Sequence, residues 1–220
     1  MDSLKALFIG NSYTYCNKMP WIVSKLAESS GKTLEVKMVT KGGVSFEWHF
    51  NNPETLSTAG KTAWDFIVLQ NHSLGAINQK EKMQKYGLAL CQEVQKHAKR
   101  TVFYMTWARQ HIPEMQAEIT EAYTSLARQT GAEVAPVGIA WENALKADPK
   151  LILHTSDKSH PNPAGSYLAA CVFYSTFYQS SPEGLAGKIT VDDGDVVNLD
   201  DSKSLFLQSI AWKTVQEFEL

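Results

Sequence analysis

Five short apolar runs recur along the chain, Leu4 to Ile9, Thr33 to Val39, Asp65 to Gln70, Thr101 to Trp107 and Glu133 to Ile139. Each is mostly continuous rather than alternating, the pattern of strands buried on both faces of a parallel sheet. Between them, apolar residues return at helical spacing. Pro20 to Ser30 carries Ile22, Val23, Leu26 and Ala27; Gln79 to Ala98 carries Leu88, Cys91 and Val94; Pro113 to Thr130 carries Ile119, Ala122, Tyr123 and Leu126. Further helices are predicted from Pro161 to about Tyr178 and from Ser202 to Phe218. Strand alternating with helix predicts an α/β fold, a three-layer α/β/α sandwich around a five-stranded parallel sheet, because parallel neighbours need crossovers and right-handed crossovers cover both faces. The Gly-, Asp- and Ser-rich stretch Ser180 to Asp201 reads as a connection holding one short strand, Lys188 to Val191. With no internal repeat or low-complexity tract, residues 1–220 read as a single domain.

Composition narrows the partners. At 220 residues and 44% hydrophobic, the chain can bury a proper core. The net charge is −2, and Lys and Arg are scattered without forming a basic stripe, which argues against nucleic acid. No apolar stretch approaches the roughly 18 residues of a membrane span, so a soluble protein without a membrane partner is expected. The sequence starts almost directly on a strand and shows no signal peptide; an exported protein lacking its leader would read the same, so the compartment stays open. Cys16, Cys91 and Cys171 lack CxxC spacing and are odd in number, which suggests free or buried thiols.

In open α/β sheets, ligands sit beyond the carboxyl ends of the strands. That rule selects "GNSYTY", "TKGGVSFEW", "QNHSLG" and "TWARQH", together with "HTSDKSHPNPAG" ahead of the Pro161 helix. In the last of these, Asp157 and His160 are separated by two residues in a Pro-terminated loop. The turn can fold the carboxylate onto the imidazole Nδ1 and leave Nε2 outward as a base. The alternative is that Asp157 or Ser159 caps the helix. Ser12 also reads two ways, as a cap or as a nucleophile placed by Gly10 at the top of the sheet. The G-x-S-x-G elbow is absent, which disfavours an ordinary α/β-hydrolase.

Taken together, "FIGNSYT", "KGGVS", "QNHS" and "SDKSHPNPAGSYLAA" resemble the SGNH hydrolase superfamily, also called GDSL-like esterases, over nearly the whole chain. The resemblance implies a flavodoxin-like sheet, with Ser12 as nucleophile, His160 as base and Asp157 as its orienter. Asn11 stands where the family usually has Asp, as in a bacterial subgroup with a GNS motif. The third block departs further: the family's G-x-N-D, whose Asn donates to the oxyanion, is replaced by Gln70, Asn71, His72 and Ser73.

Acyl transfer through a serine builds charge on the carbonyl oxygen and requires several preorganised donors. Ser12 and Gly43 offer backbone N–H groups, Gly43 matching the family's second-block glycine. Gln70 and Asn71 are adjacent carboxamides whose side chains point to opposite faces, so one of the two faces Ser12. Likeness to sugar esterases with Gln after this strand favours Gln70. Tyr13, Trp48 and Trp107 lie on sheet-top loops, where they either stack on a sugar ring or belong to the core. His49, His72, His111 and His154 lack metal-ligand spacing, so no metal and no other cofactor is expected. Cys16 has no dedicated base and reads as packing. The sequence thus points to a serine esterase removing short acyl groups, most simply acetyl, from a carbohydrate or similar polar ester. The rivals are a lipase-like or thioesterase-like enzyme for longer chains, and a degenerate module that binds glycans without catalysis.

Overall fold

The computed structural model describes residues 3–192 and 194–220; residues 1, 2 and 193, parts of the expected 1–220 domain and 180–201 connection, lie outside them. Strand β1 (Leu4–Gly10) runs into a one-turn helix α1 (Ser12–Tyr15) and then α2 (Met19–Ser29). β2 (Leu34–Thr40) is followed by α3 (Phe46–Asn51) and α4 (Pro53–Ala59), and β3 (Trp64–Leu69) by α5 (Gly75–Asn78) and α6 (Lys80–Val94). β4 (Ala98–Tyr104) leads to α7 (Met115–Thr130), and β5 (Glu133–Ala135) to α8 (Val137–Ala147) and α9 (Pro163–Tyr178). A hairpin, β6 (Lys188–Val191) and β7 (Gly194–Asn198), precedes α10 (Asp201–Glu217).

The first five strands form one parallel sheet in the order β2-β1-β3-β4-β5, the flavodoxin-like arrangement. The chain reverses its direction of growth between β1 and β3, so their carboxyl ends frame the crevice where such sheets bind ligands. Side chains of β1 alternate between two cores: Ala6 and Phe8 pack with α2, α8 and α9, whereas Leu7 and Ile9 pack with α6 and α7. Phe8 meets Phe173 of α9 edge-on at 5.3 Å. Because α9 is buried all round from Ala164 to Phe177, under the sheet on one side and α10 on the other, its sequence shows little amphipathic period.

Three elements differ from the sequence expectation. The fifth apolar run contains two elements: Pro136 stops β5 after three residues, having no N–H for the ladder, and Val137 opens helix α8. The adjacent apolar residues Val137 to Trp141 hid that helix because Val137, Gly138, Ala140 and Trp141 are all buried. The loop after β2 folds into α3 and α4, capped by Ser45 and Asn52. The short strand Lys188–Val191 has an antiparallel partner, Gly194–Asn198, within the stretch read as connection.

Candidate active site

Ser12 is the first residue of α1, and the capping is done by its neighbour. The Asn11 Oδ1 accepts from the Tyr13 N–H at 3.1 Å, while Asn11 Nδ2 donates to Val44 O at 2.9 Å and Asn71 O at 3.2 Å. One buried carboxamide therefore ties together the loops that follow β1, β2 and β3. With the cap supplied by Asn11, the Ser12 hydroxyl is left for other partners. Gly10 is required beneath this turn, because a Cβ there would overlap the Thr14 hydroxyl and sit 2.6 Å from Gln70 Oε1. His49, fully buried, holds the Gly10 carbonyl through Nε2 at 2.9 Å and receives the Thr55 hydroxyl at Nδ1 at 3.0 Å. Burial lowers its pKa to about 4, partly opposed by the Gly10 carbonyl, so this imidazole is neutral scaffolding.

The loop before α9 carries the other two groups. Thr155 N–H donates to His160 O at 2.8 Å and Lys158 takes a left-handed φ of 61°, which folds the stretch into a closed turn. Asp157 Oδ1 accepts the N–H groups of Ser159 and His160, each at 2.9 Å, and the Thr155 hydroxyl at 2.8 Å. Its Oδ2 faces His160 Nδ1 at 2.5 Å, and His160 Nε2 lies 2.8 Å from Ser12 Oγ. Slight burial raises the Asp157 pKa, but the His160 ring, the two N–H groups and the hydroxyl outweigh it and hold the carboxyl well below the usual carboxylate range. An ionised Asp157 only accepts, so Nδ1 carries the proton and Nε2 presents a lone pair to the Ser12 O–H. The Tyr13 ring packs edge-on against the imidazole at 5.4 Å, and its hydroxyl shares a 2.6 Å hydrogen bond with Ser159. Thr155 escaped the sequence reading and Ser159 was read there only as a possible helix cap, a place taken by Asn162, because short hydroxyl residues beside an Asp also suit an ordinary turn.

The two carboxamides after β3 take different jobs, and the expectation that Gln70 faces the serine is not met. Gln70 is 0% exposed; Oε1 accepts from Asn11 N and Thr14 Oγ1, both at 2.9 Å, and Nε2 donates to the Asn71 carbonyl. Its amide is spent supporting the turn from below. Asn71 Oδ1 accepts from the Phe46 N–H at 2.8 Å, which fixes the amide orientation. Its Nδ2 lies against Gly75 and has no acceptor among the described residues. The N–H groups of Ser12 and Gly43 likewise meet no acceptor there. Gly43 is exposed, has φ of 70°, and has nothing within 4 Å of where a Cβ would stand, so its backbone is open to close approach.

The aromatic candidates separate in the same way. Tyr13 and Trp107, each 2% exposed, stack on one another at 4.6 Å, and Trp107 stacks on Trp141 at 4.1 Å. Tyr13 and Trp107 are buried plates behind the site, and neither offers an open ring face beside Ser12. Trp48 remains half-exposed on α3 with the Lys41 ammonium 5.4 Å above its ring. His154 is buried and donates from Nε2 to Ala108 O at 3.1 Å; His72 Nδ1 accepts from Leu74 N at 3.3 Å. No group of three or more His, Cys, Asp or Glu is placed to hold a metal among the described residues. The three cysteines are free, and burial, then the Asp157 charge, raises the Cys16 thiol pKa. No described helix is long and apolar enough to cross a membrane.

No protein-family model and no curated protein matches the sequence. Solved structures do. A candidate SGNH hydrolase from Slackia heliotrinireducens is 28% identical, with a TM-score of 0.68, over 80% of this chain and 99% of that one. A DUF4886 family protein from Bacteroides uniformis shares the fold over 98% of this chain and 96% of its own, with a TM-score of 0.80 at 19% identity. An acetyl xylan esterase from Geobacillus stearothermophilus shares it with a TM-score of 0.65 at 18% identity, over 80% and 96% of the two chains.

Proposed function

We propose that the chain, whose likeness to solved SGNH and GDSL-like hydrolases supports that superfamily, is a serine esterase releasing short acyl groups, acetyl above all, from carbohydrate esters. The observation that carries this reading is the unbroken chain Ser12 Oγ, His160 Nε2, His160 Nδ1, Asp157 Oδ2, with spacings of 2.8 and 2.5 Å at its two hydrogen bonds. In the proposed reaction His160 takes the Ser12 proton as Oγ attacks the ester carbonyl carbon. The alcohol leaves with that proton, and an acyl-enzyme remains. Water, deprotonated by the same imidazole, then attacks the acyl carbon and frees both the acid and Ser12. The N–H groups of Ser12 and Gly43 and the Asn71 Nδ2 receive the oxyanion. No metal or organic cofactor enters the scheme. The acetyl xylan esterase among the structural neighbours supports the substrate class.

Assigning Asn71 as side-chain donor has a direct consequence. Asn71→Ala lowers kcat by roughly 10²- to 10³-fold with little change in KM, as for an interaction made mainly in the transition state. Gln70→Ala instead loosens the Asn11 and Thr14 contacts and shows first in thermal stability. Steady-state kinetics and melting curves on both variants test this; the kinetic loss appearing at a stable Gln70→Ala, with Asn71→Ala silent, reverses the roles.

The acyl preference is tested with a homologous ester series. The sheet-top loops mix amides, histidines and an arginine with aromatics, of which Tyr13 and Trp107 are packed into the core while Trp48 stays half-exposed. The expected result is that kcat/KM falls from acetate to butyrate to octanoate 4-nitrophenyl esters, misfit costing on the order of 1 to 3 kcal/mol per methylene. A profile that rises with length replaces the acetyl reading with a lipase-like one, and no hydrolysis of any ester favours a binding module.

A further inference from the structure

Arg109, on the loop after β4, is a half-buried cation without a counter-ion. Its Nε is buried with no acceptor, and among the described residues the guanidinium makes neither a hydrogen bond nor an ion pair. The loop that bears it is fastened to the loop of Asp157 and His160. Trp107 Nε1 donates to Ser159 O at 3.0 Å, Gln110 N to Lys158 O at 3.0 Å, and His154 Nε2 to Ala108 O at 3.1 Å. Arg109 also lines a cavity of about 200 Å³ with Trp107, Pro113, Trp141, Leu145 and His154.

The acids nearby are committed elsewhere. Glu142 on the cavity wall is held by Lys146 at 2.9 Å, and Asp157 by His160. The Arg109 charge instead acts on His72, whose pKa is lowered first by burial and then by Arg109, and on Tyr13, beside Ser12. A guanidinium with unused donors matches a planar carboxylate in two-pronged geometry. A single unopposed positive charge suits a monoanion better than a phosphate dianion. The cavity is smaller than the roughly 300 to 1,000 Å³ of drug-sized sites, which suits one ring and not a chain.

We propose that Arg109 and this cavity form a subsite for a carboxylate on the alcohol part of the ester, so that the preferred substrate is an acylated acidic sugar ring. The assignment rests on the esterase reading, and its test separates the two. Calorimetry on the Ser12→Ala protein compares methyl glucuronoside with methyl glucoside, which differ by the carboxylate. The acidic glycoside binds about tenfold tighter or more, the difference shrinks between about 50 and 500 mM salt, Arg109→Gln brings the two within about twofold, and Arg109→Lys keeps part of the preference. Equal binding of the two glycosides, a preference that persists in a folded Arg109→Gln protein, or tighter binding of glucose 6-phosphate than of the glucuronoside overturns the proposal. If Arg109→Gln fails to fold by melting curve, the Lys variant and the salt dependence decide. In parallel, the Ser12 protein is assayed on mono-acetyl esters of both glycosides. Hydrolysis of neither sinks the esterase reading while the binding arm still judges the subsite; hydrolysis of both without preference sinks the subsite alone.

Discussion

Ser12→Ala lowers kcat on an acetate ester by ~10³-fold or more and leaves the melting temperature within about 2 °C of the parent protein. Both halves follow from one observation. Among the described residues the only hydrogen bond of the Ser12 hydroxyl is to His160, while the cap of α1 is supplied by Asn11. Removing that hydroxyl abolishes the nucleophile but leaves the contacts of Asn11 with Tyr13, Val44 and Asn71 in place. A fluorophosphonate probe should add one adduct mass to the parent protein, mapped to Ser12, and none to the variant. Cys16 is the competing nucleophile to watch, four residues on, with a thiol whose pKa burial raises. An adduct on Cys16, or a loss of activity below about tenfold in the alanine variant, would remove Ser12 from the mechanism.

The sequence exposed the parts of this arrangement that are local, and hid those that depend on packing between distant segments. The strands were legible because burial on both faces leaves continuous apolar runs. Asp157 and His160 were legible because a short turn closes their interaction within the loop itself. Which amide follows β3 usefully was not legible: Gln70 is claimed by Asn11 and Thr14, 59 and 56 residues away in sequence. The same holds for Tyr13 and Trp107. Their placement in sheet-top loops left sugar stacking open, and the residue that decides for core is Trp141, on a helix disguised as the end of a strand. The cue that was present lies in "WENALKA", residues 141–147, a run of good helix formers directly after the apolar stretch. For Ser12 it was Asn11, a strong capping residue already in the cap position.

Asp157→Asn is expected to lower kcat by ~10³- to 10⁴-fold with little change in KM, a larger effect than a merely orienting carboxylate would give. Its Oδ1 holds the N–H groups of Ser159 and His160 and the Thr155 hydroxyl, and its Oδ2 holds His160 Nδ1. In the Asn variant the carbonyl oxygen can keep the first set, so the loop stays folded, and the NH₂ group then faces Nδ1. A donor there forces Nδ1 to accept, which moves the imidazole proton to Nε2. The ring then presents a donor to Ser12 and cannot receive its proton. Asp157→Ala tells the roles apart: it removes the acceptor for the loop as well, so its melting temperature falls where that of Asp157→Asn does not, while its kcat, freed from the wrong tautomer, falls no further. Kinetics paired with melting curves on the two variants, and the ring nitrogen chemical shifts of His160 to report the tautomer, make the comparison. An Asn variant that keeps an Nδ1-protonated ring and near-parent kcat reduces the chain of three residues to a Ser12 and His160 pair.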